Sequence, residues 1–270
     1  MNDLSRLSLN QITIKQWSLA QAIEGCASHE IGHIGVWRDK LAEQPLSQAV
    51  RQLGDAGVKV SSLCRGGFFS APTTAARAAQ IADNCRAIED CAAISSPVLV
   101  LVCGPADGQT LADARATVAD AIAELAPFAK SHSVQLGIEP LHPMFAAERS
   151  VIVTLQQATN IALQFPADTI GIVADVFHIW WDPLVHEELA RAGQRILGFH
   201  VSDWLVPLPD LLLGRGMMGD GVIDIRSLRE SAEHAGYTGP IEVEIFNQAL
   251  WDKDPDDAMR RMVEAYLQHV

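Results

Sequence analysis

Four residues stand out by type and position: Glu139, Asp175, His200 and Glu244. Each lies at or near the end of a short apolar run, in QLGIEP, IGIVAD, ILGFHVSD and PIEVEIF. Apolar neighbours imply that these groups are partly buried, and buried carboxylates need compensation. Three carboxylates with one imidazole suit a single divalent cation that takes oxygen and nitrogen donors. Mn2+ or Mg2+ fits best, with Zn2+ and Co2+ also compatible with the imidazole. The four positions are too far apart for a linear motif, so the fold must gather them. Glu242 has the same strand parity as Glu244 and points to the same side. Its deeper position calls for a partner that no nearby residue supplies. His178 follows Asp175 by three positions, and Asp203 follows His200 by three. Asp203 either fixes His200 through its second ring nitrogen or binds a loop.

The elements that would position these groups alternate along the chain. Strands are expected over residues 7–14, 31–36, 59–64, 98–103, 135–139, 170–175, 196–201 and 241–245. Helices are expected between them, over 18–26, 46–56, 73–92, 111–130, 151–163, 183–192, 225–235 and 255–267. Pro72, Pro183 and Pro255 sit at or near helix starts, where a missing N–H costs nothing. Ser70 or Thr73 is a candidate cap for the third helix. Gly57, Gly193 and Gly236 follow helical stretches and suit left-handed stops. Eight strand–helix units in one α/β domain spanning residues 1–270 match a closed (β/α)8 TIM barrel. The rival, an open doubly wound sheet, often carries a glycine cradle after its first strand, and here that strand leads into KQWS. GRGMMGDG at 214–221 lacks the lysine and Ser/Thr of a phosphate loop. In a barrel the C-terminal strand ends form the active site, so Glu139, Asp175, His200 and Glu244 would converge there.

Composition narrows the partners. A formal net charge of −13 gives no electrostatic help to nucleic acid or an anionic membrane, and neither is expected as a partner. A small phosphorylated substrate stays open, since a few local cations suffice for one phosphate. Five cysteines, an odd number without C-x2-C spacing, read as thiols in a reducing compartment. Cys64 and Cys103 fall near strand ends and are candidates to line a pocket. The opening MNDLSRLSLNQITI has no secretory pattern, and no apolar run is long enough to span a bilayer, so a cytoplasmic location is expected. The sequence leaves a homo-oligomer open. Aromatic residues after the strands suggest pocket walls that bind substrate, with Trp17 and Phe68 as candidates alongside Trp37, Phe69, Trp180, Trp181 and Trp204. RGGFF at 65–69 is a candidate mobile lid, because paired glycines permit bending.

GIEP at 137–140, DVFH at 175–178, HVSD at 200–203 and GYTGPIEVEIFN at 236–247 together carry a resemblance. The chain resembles the xylose-isomerase-like TIM-barrel family of sugar and sugar-phosphate isomerases and epimerases. Ketose 3-epimerases, hydroxypyruvate isomerase and inosose-processing enzymes are the nearest likenesses. The resemblance implies that Glu139, Asp175, His200 and Glu244 are metal ligands, with Glu139 and Glu244 also the catalytic acid–base pair. It implies that His178 and Arg215 contact a small polyhydroxy carbonyl substrate. The implied reaction is glutamate-mediated proton transfer through a metal-stabilised cis-enediolate, giving isomerisation or epimerisation. Two alternatives share the residues: a metal-dependent dehydratase of an inosose-type ketone, and a non-catalytic sugar-binding barrel. EPLHPMF places His142 where sugar epimerases of this family often have an asparagine-containing segment. An abasic-site nuclease of the same superfamily uses extra histidines. GVWRD, SLCRGG and DGVID lack them, and His29 and His33 are poorly placed to substitute.

Overall fold

A computed structural model describes residues 3–70 and 73–270, so Pro72 lies outside the described residues. Among these residues eight parallel strands close a barrel. They are β1 (Leu7–Asn10), β2 (His33–Trp37), β3 (Lys59–Gly67), β4 (Val98–Val102), β5 (Gln135–Ile138), β6 (Ile170–Asp175), β7 (Ile196–Val201) and β10 (Ile241–Val243). Their order around the ring is β1, β10, β7, β6, β5, β4, β3, β2, and β2 pairs back to β1. Two short strands, β8 (Asp203–Trp204) and β9 (Arg215–Gly216), form an antiparallel ribbon over the C-terminal end of β7. β4 reads VLVLV and is buried along its whole length, because its outer face is covered by helices and its inner face fills the ring.

The helices pack their apolar stripes against the outside of the strands. Leu46–Ala56 buries Ala49 and Leu53 and stops at Gly57, which takes the left-handed conformation at φ 66°. Ser18 and Gln21 form a reciprocal capping box on Leu19–Ser28. Thr73, not Ser70, caps Thr74–Ala93 through the Ala76 N–H. Pro255 occupies the first turn of Pro255–His269, with Asp254 accepting from the N–H groups of Asp256 and Asp257. Among the described residues no helix is long and apolar enough to cross a membrane.

Several expected boundaries move, each for a local reason. The first strand ends at Asn10, whose side-chain oxygen accepts the Ile12 N–H and turns Gln11–Ile14 into a 3-10 helix. The helix expected from residue 151 starts at Leu155. Val151 N–H instead bonds Gly104 O, and Ile152 N–H bonds Ser150 Oγ, which keeps this stretch extended. The helix expected from Pro183 starts at Val185, because Asp182 first closes a turn on Leu184 N–H and Val185 N–H. Gly193 has φ 57° but ψ −133°, so it opens a short 3-10 turn and is not a left-handed stop.

RGGFF is not a free lid. β3 runs through Gly67, Phe68 N–H bonds Val102 O at 2.7 Å, and Phe69 N–H bonds Cys103 O at 3.0 Å. Asn84 holds Gly67 from both sides, accepting its N–H and donating to its carbonyl. Phe69 itself is buried in the core.

Candidate metal centre and cavity

The four strand-end residues meet at the C-terminal mouth of the barrel. Glu139 follows β5 and stays in register through its N–H to Leu101 O at 3.1 Å. Asp175 closes β6, and its Oδ1 accepts the Phe177 N–H at 2.9 Å. His200 is the penultimate residue of β7. Glu244 stands just past β10, with its N–H on Val201 O at 3.1 Å. One ligand atom from each lies within 4.8 Å of all the others, and all four side chains are buried. Donors bound at about 2.1 Å around one hard cation stand at most about 4.2 Å apart, so the cluster needs only a small contraction to hold one. Glu139 Oε1 and His200 Nδ1 are buried without a hydrogen-bond partner, which is the chemistry expected of atoms reserved for a ligand. These residues therefore fit a divalent cation.

Arg215, on β9, supplies positive charge to the cluster. Its Nη1 donates to Asp175 Oδ2 at 2.7 Å, to Glu244 Oε2 at 3.1 Å and to the Glu244 carbonyl at 3.1 Å. Its Nη2 lies 3.0 Å from His178 Nε2. The other ring nitrogen, Nδ1, accepts the His142 N–H at 3.1 Å. Burial and the adjacent Arg215 hold the His178 pKa well below its ordinary value, so the ring is neutral. A neutral imidazole accepts at one nitrogen only, so His178 satisfies one of these two donors at a time.

The carboxylates are driven apart in proton affinity. Burial, reinforced by the Glu244 charge, pushes Glu139 up to about 8. Burial also acts on Glu244, but Arg215 and His200 outweigh it and hold that group down at about 2. Burial raises Asp175 to about 6 against the pull of Arg215. Glu242 and Glu244 overcome the burial of His200 and raise it to about 10.

The partners that Glu242 required come from two strands, β1 and β3. Asn10 Nδ2 donates to its Oε1 at 2.6 Å, and Ser61 Oγ donates to Oε2 at 2.6 Å. Ser62 Oγ reaches both oxygens at 3.0–3.1 Å. Asn10 is itself fixed by Trp37 Nε1 at 2.7 Å and also touches Glu244 Oε1 at 3.2 Å. Asp203 takes the loop role and not the histidine role. Its two oxygens accept the N–H groups of Trp204, Gly219, Gly221 and Ile223 at 2.8–3.0 Å.

A cavity opens onto this cluster. Glu139, Glu244, His178 and Arg215 line it, as do Trp37 and Cys64. Cys64 is buried beside three carboxylates, which raises its pKa well above the ordinary thiol value and leaves it unreactive. Cys103 is buried and does not line the cavity. Trp17 and Phe68, expected at the wall, are also outside the lining. The Trp17 ring packs over Gly25, where a Cβ would fall 2.3 Å from it, and Phe68 sits beneath the Arg65 guanidinium at 4.0 Å. Trp204 stacks on Phe177, and Trp181 bonds the His178 carbonyl, so both brace the neighbourhood of His178. Sequence reasoning missed Asn10, Ser61, Ser62, Arg65 and Arg149. Of these, only Asn10 gave a signal, as a polar residue closing an apolar strand.

Comparisons with known proteins agree with this architecture. The profile of the xylose isomerase-like TIM barrel family matches residues 19–268. The crystal structure of protein SMc04130 from Sinorhizobium meliloti 1021 is 42% identical, covers 99% of both chains and superposes with a TM-score of 0.96. An inosose isomerase of Bacillus licheniformis is 23% identical over 98% of each chain. The IolI protein, solved with a zinc atom bound, shares 20% identity over 98% of both chains and the same fold at a TM-score of 0.86.

Proposed function

The chain belongs to the xylose isomerase-like TIM barrel family, and from that premise we propose that it isomerises or epimerises a small polyhydroxy carbonyl compound with one divalent metal ion held by Glu139, Asp175, His200 and Glu244. The observation that carries this reading is the convergence of those four donors within 4.8 Å at the mouth of a cavity. When bound, the cation polarises the substrate carbonyl and acidifies the neighbouring C–H. Mn2+ or Mg2+ suits three carboxylates and one imidazole best.

The chain's own residues do the proton work. Glu244 is held ionised by Arg215 and His200. Glu139 holds its proton to about pH 8 only in the metal-free site; as a ligand of the bound cation it would be a carboxylate like Glu244. Both glutamates line the cavity, so either is placed to take the proton and, once protonated, to return it. Removal of a proton beside the carbonyl gives an enediolate. Its return to the adjacent carbon isomerises the compound, and its return to the opposite face of the same carbon epimerises it. Arg215 can only donate, so it binds a substrate oxygen and meets developing negative charge. His178 orients a hydroxyl through Nε2. Trp37, edge-on to Phe246 at 5.6 Å, forms an apolar wall.

The test is a screen of ketoses, hydroxy-carbonyl acids and inosose-type ketones in heavy water with Mn2+. Deuterium beside the carbonyl with no loss of water supports the proposal. Loss of water identifies a dehydratase working from the same first step. Binding without exchange in any compound identifies a non-catalytic barrel.

A further inference from the structure

Among the described residues, two arginines in the cavity have no side-chain hydrogen-bond or ion-pair partner. Arg65, on β3, and Arg149, in the segment after β5, both line it and are half-buried. Arg149 is pinned over the end of β4, since its carbonyl accepts the Gly104 N–H at 2.9 Å. β3 and β4 are neighbours in the barrel, so the two side chains enter the cavity from one side. Among the described residues neither guanidinium makes a side-chain hydrogen bond or an ion pair. Arg215 differs, because Asp175 and Glu244 already engage it.

The arginines are held in place without being neutralised. Arg65 lies over the Phe68 ring at 4.0 Å, and Arg149 faces Phe145 at 5.9 Å. Burial disfavours the charged form of both, and each lies in electrostatic reach of another guanidinium, Arg149 for Arg65 and Arg215 for Arg149. Half-buried like charges repel unless an anion sits between them. The charge balance of the cluster leaves positive charge over. A divalent cation and Arg215 together offset the three carboxylate ligands, and Glu242, hydrogen-bonded only by the neutral Asn10, Ser61 and Ser62, offsets one of the two arginines, so one positive charge remains for a substrate anion. The guanidinium fork matches the oxygens of a carboxylate or a phosphate, and two forks on one side of a small cavity define a receptor for one such group. Both arginines also feel the charge of Glu139, so this receptor adjoins the reacting end.

We propose that the substrate is anionic: a small polyhydroxy carbonyl compound whose carboxylate or phosphate is gripped by Arg65 and Arg149 while its carbonyl end faces Glu139 and Glu244. This rests on the reading of the cavity as the substrate site. It adds a class that a neutral sugar does not meet.

Isothermal titration on the full chain, with Mn2+ and again after EDTA treatment, tests it with three probes. These are D-fructose (neutral), 2-keto-D-gluconate (a carboxylate) and D-fructose 6-phosphate. The expected result is at least tenfold tighter binding of one anionic probe than of D-fructose, and which one binds tells carboxylate from phosphate. Arg65→Met and Arg149→Met should each lose about tenfold of that affinity, a clearly larger loss than for D-fructose. Arg65→Lys and Arg149→Lys keep the charge but not the fork, and should lose an intermediate amount even if a methionine variant fails to fold. Equal binding of neutral and anionic probes, or equal losses for both in the variants, overturns the proposal. Deuterium exchange into the bound probe is scored separately. Anion selectivity without exchange would sink the isomerase reading and spare this one, and exchange in neutral ketoses alone would do the reverse.

Discussion

Glu242 Oε1 lies 3.6 Å from His200 Nε2, and on the other edge of the ring Nδ1 faces Glu139 Oε1 and Glu244 Oε2, each at 3.6 Å. The imidazole is thus bracketed by one hydrogen-bonded carboxylate behind and two cavity-lining ones in front. At 3.6 Å the contact is one of charge and not a hydrogen bond; a carboxylate behind a ligating histidine raises its basicity, and loss of such a partner costs up to about 10–100-fold in metal affinity. Glu242→Gln is therefore expected to weaken Mn2+ binding by up to that factor, read by titration calorimetry, with the fold intact by circular dichroism. An unchanged affinity would reduce Glu242 to a packing role.

Gly35 makes room for that carboxylate. A Cβ at residue 35 would fall 2.1 Å from Glu242 Oε1 and 2.5 Å from its Cδ. Asn10, Ser61 and Ser62 hold the side chain, so it has little freedom to withdraw. Gly35→Ala should cost about 1–3 kcal/mol in urea unfolding, as overpacking does, and should also lower Mn2+ affinity. Lost stability with full metal affinity would mean that the clash is relieved without moving Glu242.

The barrel and its four strand-end groups were legible because polarity at the end of an apolar run is a local signal. Glu139, Asp175, His200 and Glu244 needed only the fold class to bring them together. The partners of Glu242 were not legible. Asn10 and Glu242 are 232 positions apart, and their contact depends on the β1–β10 register, which no sequence pattern states. Arg65 and Arg149 look like any loop-proximal arginine until the cavity is drawn around them. RGGFF suggested motion because glycine permits it, but the bonds that restrain it come from Val102, Cys103 and Asn84, far off in sequence. Asp203 had two readings, and only the path of the 215–223 loop selects between them.

Glu139→Gln and Glu244→Gln should each lower turnover by about 10²–10⁴-fold, the usual contribution of general acid–base catalysis. A variant that stops deuterium exchange at carbon has lost the base, and one that still exchanges without net conversion has lost the group that returns the proton; mass spectrometry of substrate recovered from heavy water tells them apart. Near-normal turnover of both variants on the true substrate would end the assignment.

Stability of the metal-free protein should fall as pH rises. Burial raises Glu139 to about 8 and Asp175 to about 6, and the surrounding carboxylates raise His200 to about 10. All three bind protons more tightly folded than unfolded. Their contribution is complete below the unfolded values and is lost as pH climbs through the folded ones. Glu244 is depressed to about 2, so its contribution holds across this window and fades only in acid. The Tm in EDTA should therefore drop as pH climbs from about 6.5, above which His178 no longer opposes the trend, to about 10. The Tm gain from added Mn2+ should grow over the same interval, because the ligands must shed protons to bind. A Tm in EDTA that stays level or rises would contradict this picture.

Asp203 anchors the route by which Arg215 reaches the cluster. Its carboxylate accepts four backbone N–H groups, one on β8 and three from residues 219–223. β8 pairs with β9, which carries Arg215. Asp203→Asn turns one acceptor oxygen into a donor that faces N–H groups, leaving buried donors unsatisfied at a cost of about 2–3 kcal/mol. Urea unfolding should register that loss. Arg215 should also lose its alignment on Asp175 and Glu244, which predicts a higher KM alongside the lower stability. Asp203→Glu keeps the charge but lengthens the arm, and should recover neither. If Asp203→Asn destabilises the chain yet leaves KM untouched, the loop is a structural brace alone, and the position of Arg215 is set by its own ion pairs.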